Sequence, residues 1–377
     1  MKIAIVHNDY AKFSGEEAVI RDHEVILRNH ENNVVFFRRS SAELHGLSGA
    51  AKGFFLGPYN PFIRKIFLKF LVTENPDIVH IHNLYPLITP SILGCVAELK
   101  IPLVMTVHNY RLFCPCGLFF QNGTICEECA NTQSAWPCLR HNCLNSRFKT
   151  LGYAVRFAWE RQRQYYQQYV DRFLCLTEFQ RHKLIEYGIN AERCRVVPNF
   201  IGEEWWRRAR DVSPSNGKYV AYMGRLGKEK GIEIILEAAR KLPDIPFRLA
   251  GAGAECWRSS APSNVEFTGY LTGKAQFEFM HHARLNIMAS CWYECFPTTL
   301  LQSMALGIPC LVPRLGGMPE IIRGAGIAYA PGNLAEVIEQ LWNNEPLRQT
   351  YVVGAQKRIE DFSPEVGWKH LRESYAF

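Results

Sequence analysis

Short β-branched runs alternate with helical stretches, and the alternation runs its course once and then restarts. Residues 2–7, 34–38, 78–82, 103–108, 172–177 and 195–198 read as strands, with helical patterns between them, for example at 18–29 and 90–99. Strands separated by helices rather than tight turns must run parallel, and a parallel sheet needs helices on both faces. The pattern resumes at 219–223, 247–249, 265–267, 285–288 and 310–312, with helices near 231–241, 274–282 and 298–306. A chain of 377 residues is long for one core, so two α/β domains are expected. We place them at residues 1–198 and 199–361, with 362–377 as a closing segment. The turn-forming stretch 211–217 (DVSPSNG) reads as part of the connection.

No run of eighteen apolar residues occurs, so no transmembrane helix is expected. The first six residues read as a buried strand rather than a secretory leader, which makes a cytoplasmic location the simplest expectation. The charge is uneven. Through Pro198 there are 23 Lys and Arg against 17 Asp and Glu, and after it 20 against 19. A basic first half suits an anionic lipid surface, a phosphorylated acceptor or nucleic acid, and equally plain solvent. No nucleic-acid partner is expected.

Strand ends matter most, because open parallel sheets bind ligands beyond their carboxyl ends. Residues 223–231 (MGRLGKEKG) leave a strand at Gly224 and enter a helix near Gly231. Glycine lets a ligand approach the backbone, while Arg225 and Lys230 supply charge for phosphate. Residues 290–302 (SCWYECFPTTLLQ) leave another strand through Glu294, and Pro297 then starts a helix. The N–H groups of that first turn, near Thr298 and Thr299, form an anion site of the kind that holds a diphosphate. Glu294 can accept hydrogen bonds from sugar hydroxyls. Gly251 and Gly253 resemble part of a dinucleotide fingerprint but lack its third glycine, which argues against an NAD enzyme.

In this order and spacing the motifs resemble family 4 of the retaining glycosyltransferases, over nearly the whole chain. The resemblance implies the GT-B fold, two facing Rossmann-like domains with parallel sheets. It implies that Arg225 and Lys230 bind the donor diphosphate and that Glu294 holds the donor sugar. The family's second glutamate, which binds the ribose, falls at Gln302, where an amide oxygen can still accept a hydroxyl hydrogen. Gly15 matches the glycine loop that approaches the diphosphate, with Glu17 facing the cleft. His108 matches the histidine that reaches the sugar or the acceptor. Tyr270 and Leu271 sit where the base docks, and Gly224, Phe296, Pro297, Thr298 and Thr299 complete the donor-binding set. The implied reaction moves a hexose-type sugar from a nucleoside diphosphate donor, a UDP-sugar on the resemblance alone, to a glycan or lipid-linked acceptor in polysaccharide or glycoconjugate synthesis. The resemblance implies that catalysis requires no metal. A nucleotide-sugar epimerase or hydrolase of the same fold, or a non-catalytic zinc-stapled binding module, are the alternatives.

Residues 114–145 break the alternation and hold six of the chain's 13 cysteines. Cys126 and Cys129 have metal-ligand spacing, and with Cys114 and Cys143 they make a candidate structural zinc site. Cys116, Cys138 and His141 are alternative ligands, and disulfides or buried thiols are the competing readings. Residues 52–71 and 147–169 mix aromatic and aliphatic side chains with basic ones. Such stretches suit peripheral association with the inner face of a membrane, or simply a core-facing helix.

Overall fold

The computed structural model describes residues 1–10, 15–43, 54, 56–213 and 217–377; the middle of the expected connection and part of the basic stretch 52–71 lie outside these. Two compact units result. One comprises residues 1–121, 126–198 and 368–377, the other 122–125 and 199–367. Each is built on a six-stranded, wholly parallel sheet.

In the first unit the strands are β1 (Lys2–Asp9), β2 (Asn33–Ser40), β3 (Ile78–Asn83), β4 (Leu103–Thr106), β5 (Arg172–Cys175) and β6 (Cys194–Val196). Their spatial order is β2-β1-β3-β4-β5-β6, so the winding reverses between β1 and β3. Residues 3–6 of β1 and all of β3 are buried, as strands covered on both faces must be. Helix α1 (Gly15–Asn29) buries Val19, Ile20, Ile26 and Leu27. Helix α2 (Pro61–Glu74) starts where the Asn60 side chain accepts the Ile63 N–H and Pro61 takes a first-turn position. It ends at Asn75, whose left-handed backbone (φ 42°) stops the helix. The pattern at 146–169 predicts one helix, but α3 (Arg147–Arg163) ends at Gln164, which is left-handed (φ 48°), and a short helix follows. The unit also takes in residues 368–377: the Tyr375 hydroxyl lies 2.7 Å from His80 Nδ1, and Arg172 Nη1 donates to the Ser374 carbonyl.

The second unit holds β7 (Tyr219–Met223), β8 (Phe247–Ala250), β9 (Val265–Gly269), β10 (Ala283–Ile287), β11 (Cys310–Pro313) and β12 (Gly326–Tyr329). Its order β9-β8-β7-β10-β11-β12 is the doubly wound dinucleotide-fold arrangement, reversing between β7 and β10. Strand β12 is absent from the expectations above, because a four-residue run opening on glycine carries little signal. Gly251 makes a tight turn after β8: a Cβ there would lie 1.8 Å from the Gly224 carbonyl oxygen. The glycines of this turn therefore let chain pack on chain. Among the described residues, no helix is long and apolar enough to cross a membrane.

Candidate functional site

The second unit gathers its candidates at its reversal point. Gly224 and Arg225 follow β7, and residues 288–297 follow β10, the neighbouring strand. Lys230 lies on a short 3-10 turn, Lys228–Lys230, that leads into helix α4 (Ile232–Lys241) through Gly231. The turn packs on the loop after β10, where Cys291 N–H donates to the Glu229 carbonyl at 2.9 Å. Gly231 is required on two counts: its φ is 69°, and a Cβ would lie 1.9 Å from the Ala289 carbonyl oxygen. Gly231→Ala should therefore cost about 1–3 kcal/mol from backbone strain alone, more with the clash, and lower the second unit's guanidinium midpoint. An unchanged midpoint would show that the turn and the loop separate freely.

Glu294 is 6% exposed, and one oxygen, Oε1, takes three donors. Lys230 Nζ is at 2.7 Å, Ser290 Oγ at 2.5 Å and Trp292 Nε1 at 2.9 Å. The Lys230 ammonium also sits 4.9 Å from the centre of the Trp292 ring. Arg225 is largely exposed and pairs with Glu229 at 2.6 Å. Helix α5 (Thr298–Ala305) starts where the pattern at 298–306 places it, with Pro297 as the flanking residue rather than the first helical one and no side chain capping the first turn. Gln302 lies in its second turn; its side-chain oxygen takes Gln276 Nε2 at 3.3 Å, and its carbonyl takes Trp205 Nε1 at 3.3 Å. Phe296 is buried against Phe362. Tyr270 and Leu271 follow β9; Tyr270 is exposed, and Leu271 packs on the unit's core.

The first unit carries a second cluster at its own reversal point. Asn83, ending β3, donates to the Asn8 carbonyl at 2.9 Å, and Asn8 Oδ1 accepts the Leu87 N–H, so the two strand ends are fixed to each other. Four histidines pack together: His23 from α1, His80 and His82 from β3, and His108 after β4. His108 Nε2 is 2.8 Å from His82 Nδ1, and His80 uses both nitrogens, on Tyr375 and Thr106. Burial holds His80, His82 and His108 well below the ordinary imidazole range, reinforced by their neighbours, and lowers His23 to about 4. A small cavity lies beside them, lined in part by Asn83, Tyr85, His108, Arg111 and Tyr166. Against Tyr85 lies a buried ion pair, Arg156 to Glu160 at 3.2 Å. Burial pushes Glu160 up to about 7 against the pull of Arg156.

Gly15 opens α1, and among the described residues no atom would meet a Cβ there within 4 Å. Glu17 is buried, and its Oε1 accepts the Tyr10 N–H at 2.8 Å, so this oxygen is already committed to the backbone. The neighbouring Glu16 accepts the Tyr10 hydroxyl, and burial raises it to about 8. Sequence reasoning missed Ser290 and Trp292 as donors to Glu294, although both lie in the motif it singled out. It also missed Arg111, Tyr85 and Glu160; Arg111 stands three residues after His108, the one local signal available.

The four expected zinc ligands, Cys114, Cys126, Cys129 and Cys143, line one cavity in the first unit. Cys116, Cys138 and His141 line it too. None of the six is in a disulfide. Among the described residues, the groups of three whose ligand atoms all lie within 4.8 Å are His23, His80, His82 and His7, Asp9, Glu17; no three of these sulfurs are so close.

Two family models match. Residues 15–205 match the model described as Glycosyltransferase Family 4, and residues 205–358 match Glycosyl transferases group 1. The chain is 30% identical over 225 residues to an exopolysaccharide phosphotransferase of Streptomyces coelicolor, covering 55% of this chain and 23% of that protein. It is 25% identical over 327 residues to a glycosyltransferase of Methanocaldococcus jannaschii, covering 82% of this chain and 78% of that protein. The chain thus spans under a quarter of the first relative's length, and less than two thirds of several others'. The crystal structure of Anabaena HepE in complex with UDP superposes with a TM-score of 0.65 at 17% identity, covering 99% of both chains. The fold is the GT-B architecture of two Rossmann-like domains.

Proposed function

This chain belongs to glycosyltransferase family 4, and from that premise we propose that it transfers a hexose-type sugar from a UDP-sugar, with retention, to a glycan or lipid-linked acceptor. The observation that carries the reading is the contact of Lys230 with Glu294 at the reversal point of the second sheet. A buried carboxylate and a cation lie there within reach of a helix start without a side-chain cap. The three groups suit two parts of a donor: sugar hydroxyls for Glu294, and the diphosphate for Lys230 and the N–H groups of Thr298 and Thr299. Arg225 adds an exposed second cation, and Tyr270 and Leu271 offer a surface for the base. UDP is preferred because the HepE structure was solved with UDP.

As the bond from the anomeric carbon to the diphosphate oxygen breaks, negative charge gathers on the leaving group. Lys230, Arg225 and the helix start stabilise that charge, in the place a divalent ion would take. Glu294 is ill suited as a nucleophile, because its Oε1 is held by three donors. The acceptor oxygen therefore attacks the face the diphosphate is leaving, and its proton passes to a departing phosphate oxygen. His108, neutral and hydrogen-bonded to His82, orients sugar or acceptor. A lipid-linked acceptor at a membrane surface draws support from α2 and α3. Helix α2 exposes Phe62 and Ile66 among Arg64, Lys65 and Lys69, and α3 exposes Phe148, Leu151 and Val155 near Arg147 and Lys149.

Titration calorimetry with UDP, and turnover of UDP-sugars with and without candidate acceptors, test the reading. The transferase binds UDP and releases it chiefly when acceptor is present; release without acceptor would indicate a hydrolase. Gln302→Glu should tighten UDP about fivefold, since an ionised acceptor adds about 1 kcal/mol to a ribose hydrogen bond. No change on this substitution would place the ribose elsewhere.

A further inference from the structure

The insertion that begins after Arg111 packs Phe113 and Phe119 on Tyr187 but contains little regular secondary structure of its own. Its helices, Glu128–Asn131 and Trp136–His141, are four and six residues long. Its apolar packing on α3 is a small group, Ala135 with Ala154, Phe157 and Leu139. Yet Cys114, Cys116, Cys126, Cys129, Cys138 and Cys143 all reach one cavity, from three separate stretches of chain. None of the six is in a disulfide, and six thiols converging on one cavity are the donor set of a thiophilic cation.

We propose that this cluster is a structural zinc site, with Cys126 and Cys129 as one ligand pair and two further thiolates supplied by Cys114, Cys116, Cys138 and Cys143. Zinc takes four thiolates as a tetrahedron with Zn–S of about 2.3 Å, which sets sulfurs about 3.8 Å apart. The Cys114 and Cys116 sulfurs, 3.4 Å apart, are spaced for one ion. A cubane iron–sulfur cluster would instead hold each cysteine on a different iron, farther apart. No three of the six sulfurs lie within 4.8 Å of one another here, so binding of the ion would have to draw the remaining ligands inward.

The site fastens the insertion to the first unit and acts on no substrate. Arg156 donates to the Pro115 carbonyl between Cys114 and Cys116, at 3.1 Å. Glu127, beside Cys126, pairs with Lys183 at 2.8 Å and accepts the Tyr187 hydroxyl. Gly117, left-handed at φ 80°, packs on the Arg111 side chain, with room for no Cβ. Zinc would thus hold the loop that presents Arg111 to the first unit's cavity. The inference stands apart from the donor-site assignment and survives its failure.

The test is elemental analysis of the full chain purified without added metal or chelator. About one zinc per chain is expected. The double variant C126S/C129S should lose it, while C256S, at an exposed cysteine elsewhere, should keep it. If the double variant does not fold, the wild-type chain carries the test. A strong chelator should strip the zinc and speed proteolysis within residues 114–145, and added zinc should reverse this. A folded wild-type chain without zinc overturns the proposal, whether its six sulfurs titrate as free thiols or appear as disulfides by mass spectrometry. Iron in place of zinc overturns it equally.

Discussion

Lys230→Ala is expected to lower glycosyl transfer by about 10²–10³-fold, the scale for removing one group that meets charge developing in a transition state. Lys230 should contribute more than Arg225, because its ammonium is only 16% exposed whereas Arg225 is 65% exposed. A partly desolvated cation is felt more strongly by a nearby phosphate than one in water. The variant should remain folded, since Ser290 and Trp292 still donate to Glu294. Its UDP affinity should fall less than its turnover. Lys230→Arg tests geometry: a guanidinium retains the charge but not the ammonium's compact fit between Glu294 and the Trp292 ring, so only partial activity should return. Full activity in Lys230→Ala would remove the assignment.

The first unit should lose stability steeply as the pH falls below about 6.5. His7, His23, His80 and His82 are buried, and His108 is half-buried among them. Burial, with Arg38 adding to it, lowers His7 to about 3; His23 falls to about 4 and the other three are well below 6.5. Folded imidazoles therefore stay neutral while unfolded ones protonate near 6.5, and the unfolded state gains as the pH drops. Glu16 and Glu160 work in the opposite sense. Folded, they keep protons up to about 8 and about 7, whereas unfolded they release them near 4.5, so their contribution weakens as the pH rises through that window. Between pH 5 and 6, five protons gained against two lost leave about three taken up on unfolding, or about 4 kcal/mol per pH unit. Guanidinium unfolding at pH 7 and pH 5.5 should show a large fall in midpoint. Equal midpoints would mean that the histidines are solvated or already charged.

The two sheets were legible because parallel strands covered on both faces must be continuously apolar. Every expected strand is present, with ends shifted by at most two residues. The break at Gln164 was not legible, since only tertiary packing makes a left-handed glutamine worthwhile there. The donor motif could be read because one loop and one helix start carry it. The histidine group could not: His23 is distant in sequence and meets His80 and His82 only through the way α1 lies on β3. The cysteine spacing pointed to four ligands. The alternatives Cys116, Cys138 and His141 were legible too; that all seven residues share one cavity depends on the fold of the insertion, which no spacing rule contains.

Membership of Trp368–Phe377 in the first unit has a consequence for biosynthesis. A ribosome delivers residues 1–198 early, and N-terminal domains usually fold as they emerge. Here the partner of His80, the Tyr375 hydroxyl, is translated only after the entire second unit. Until then the nascent first unit carries a buried imidazole with one nitrogen unsatisfied, together with the apolar surface that residues 368–377 later cover. The order of translation thus reverses the usual sequence, and the second unit, continuous except for residues 122–125, is the one able to finish first.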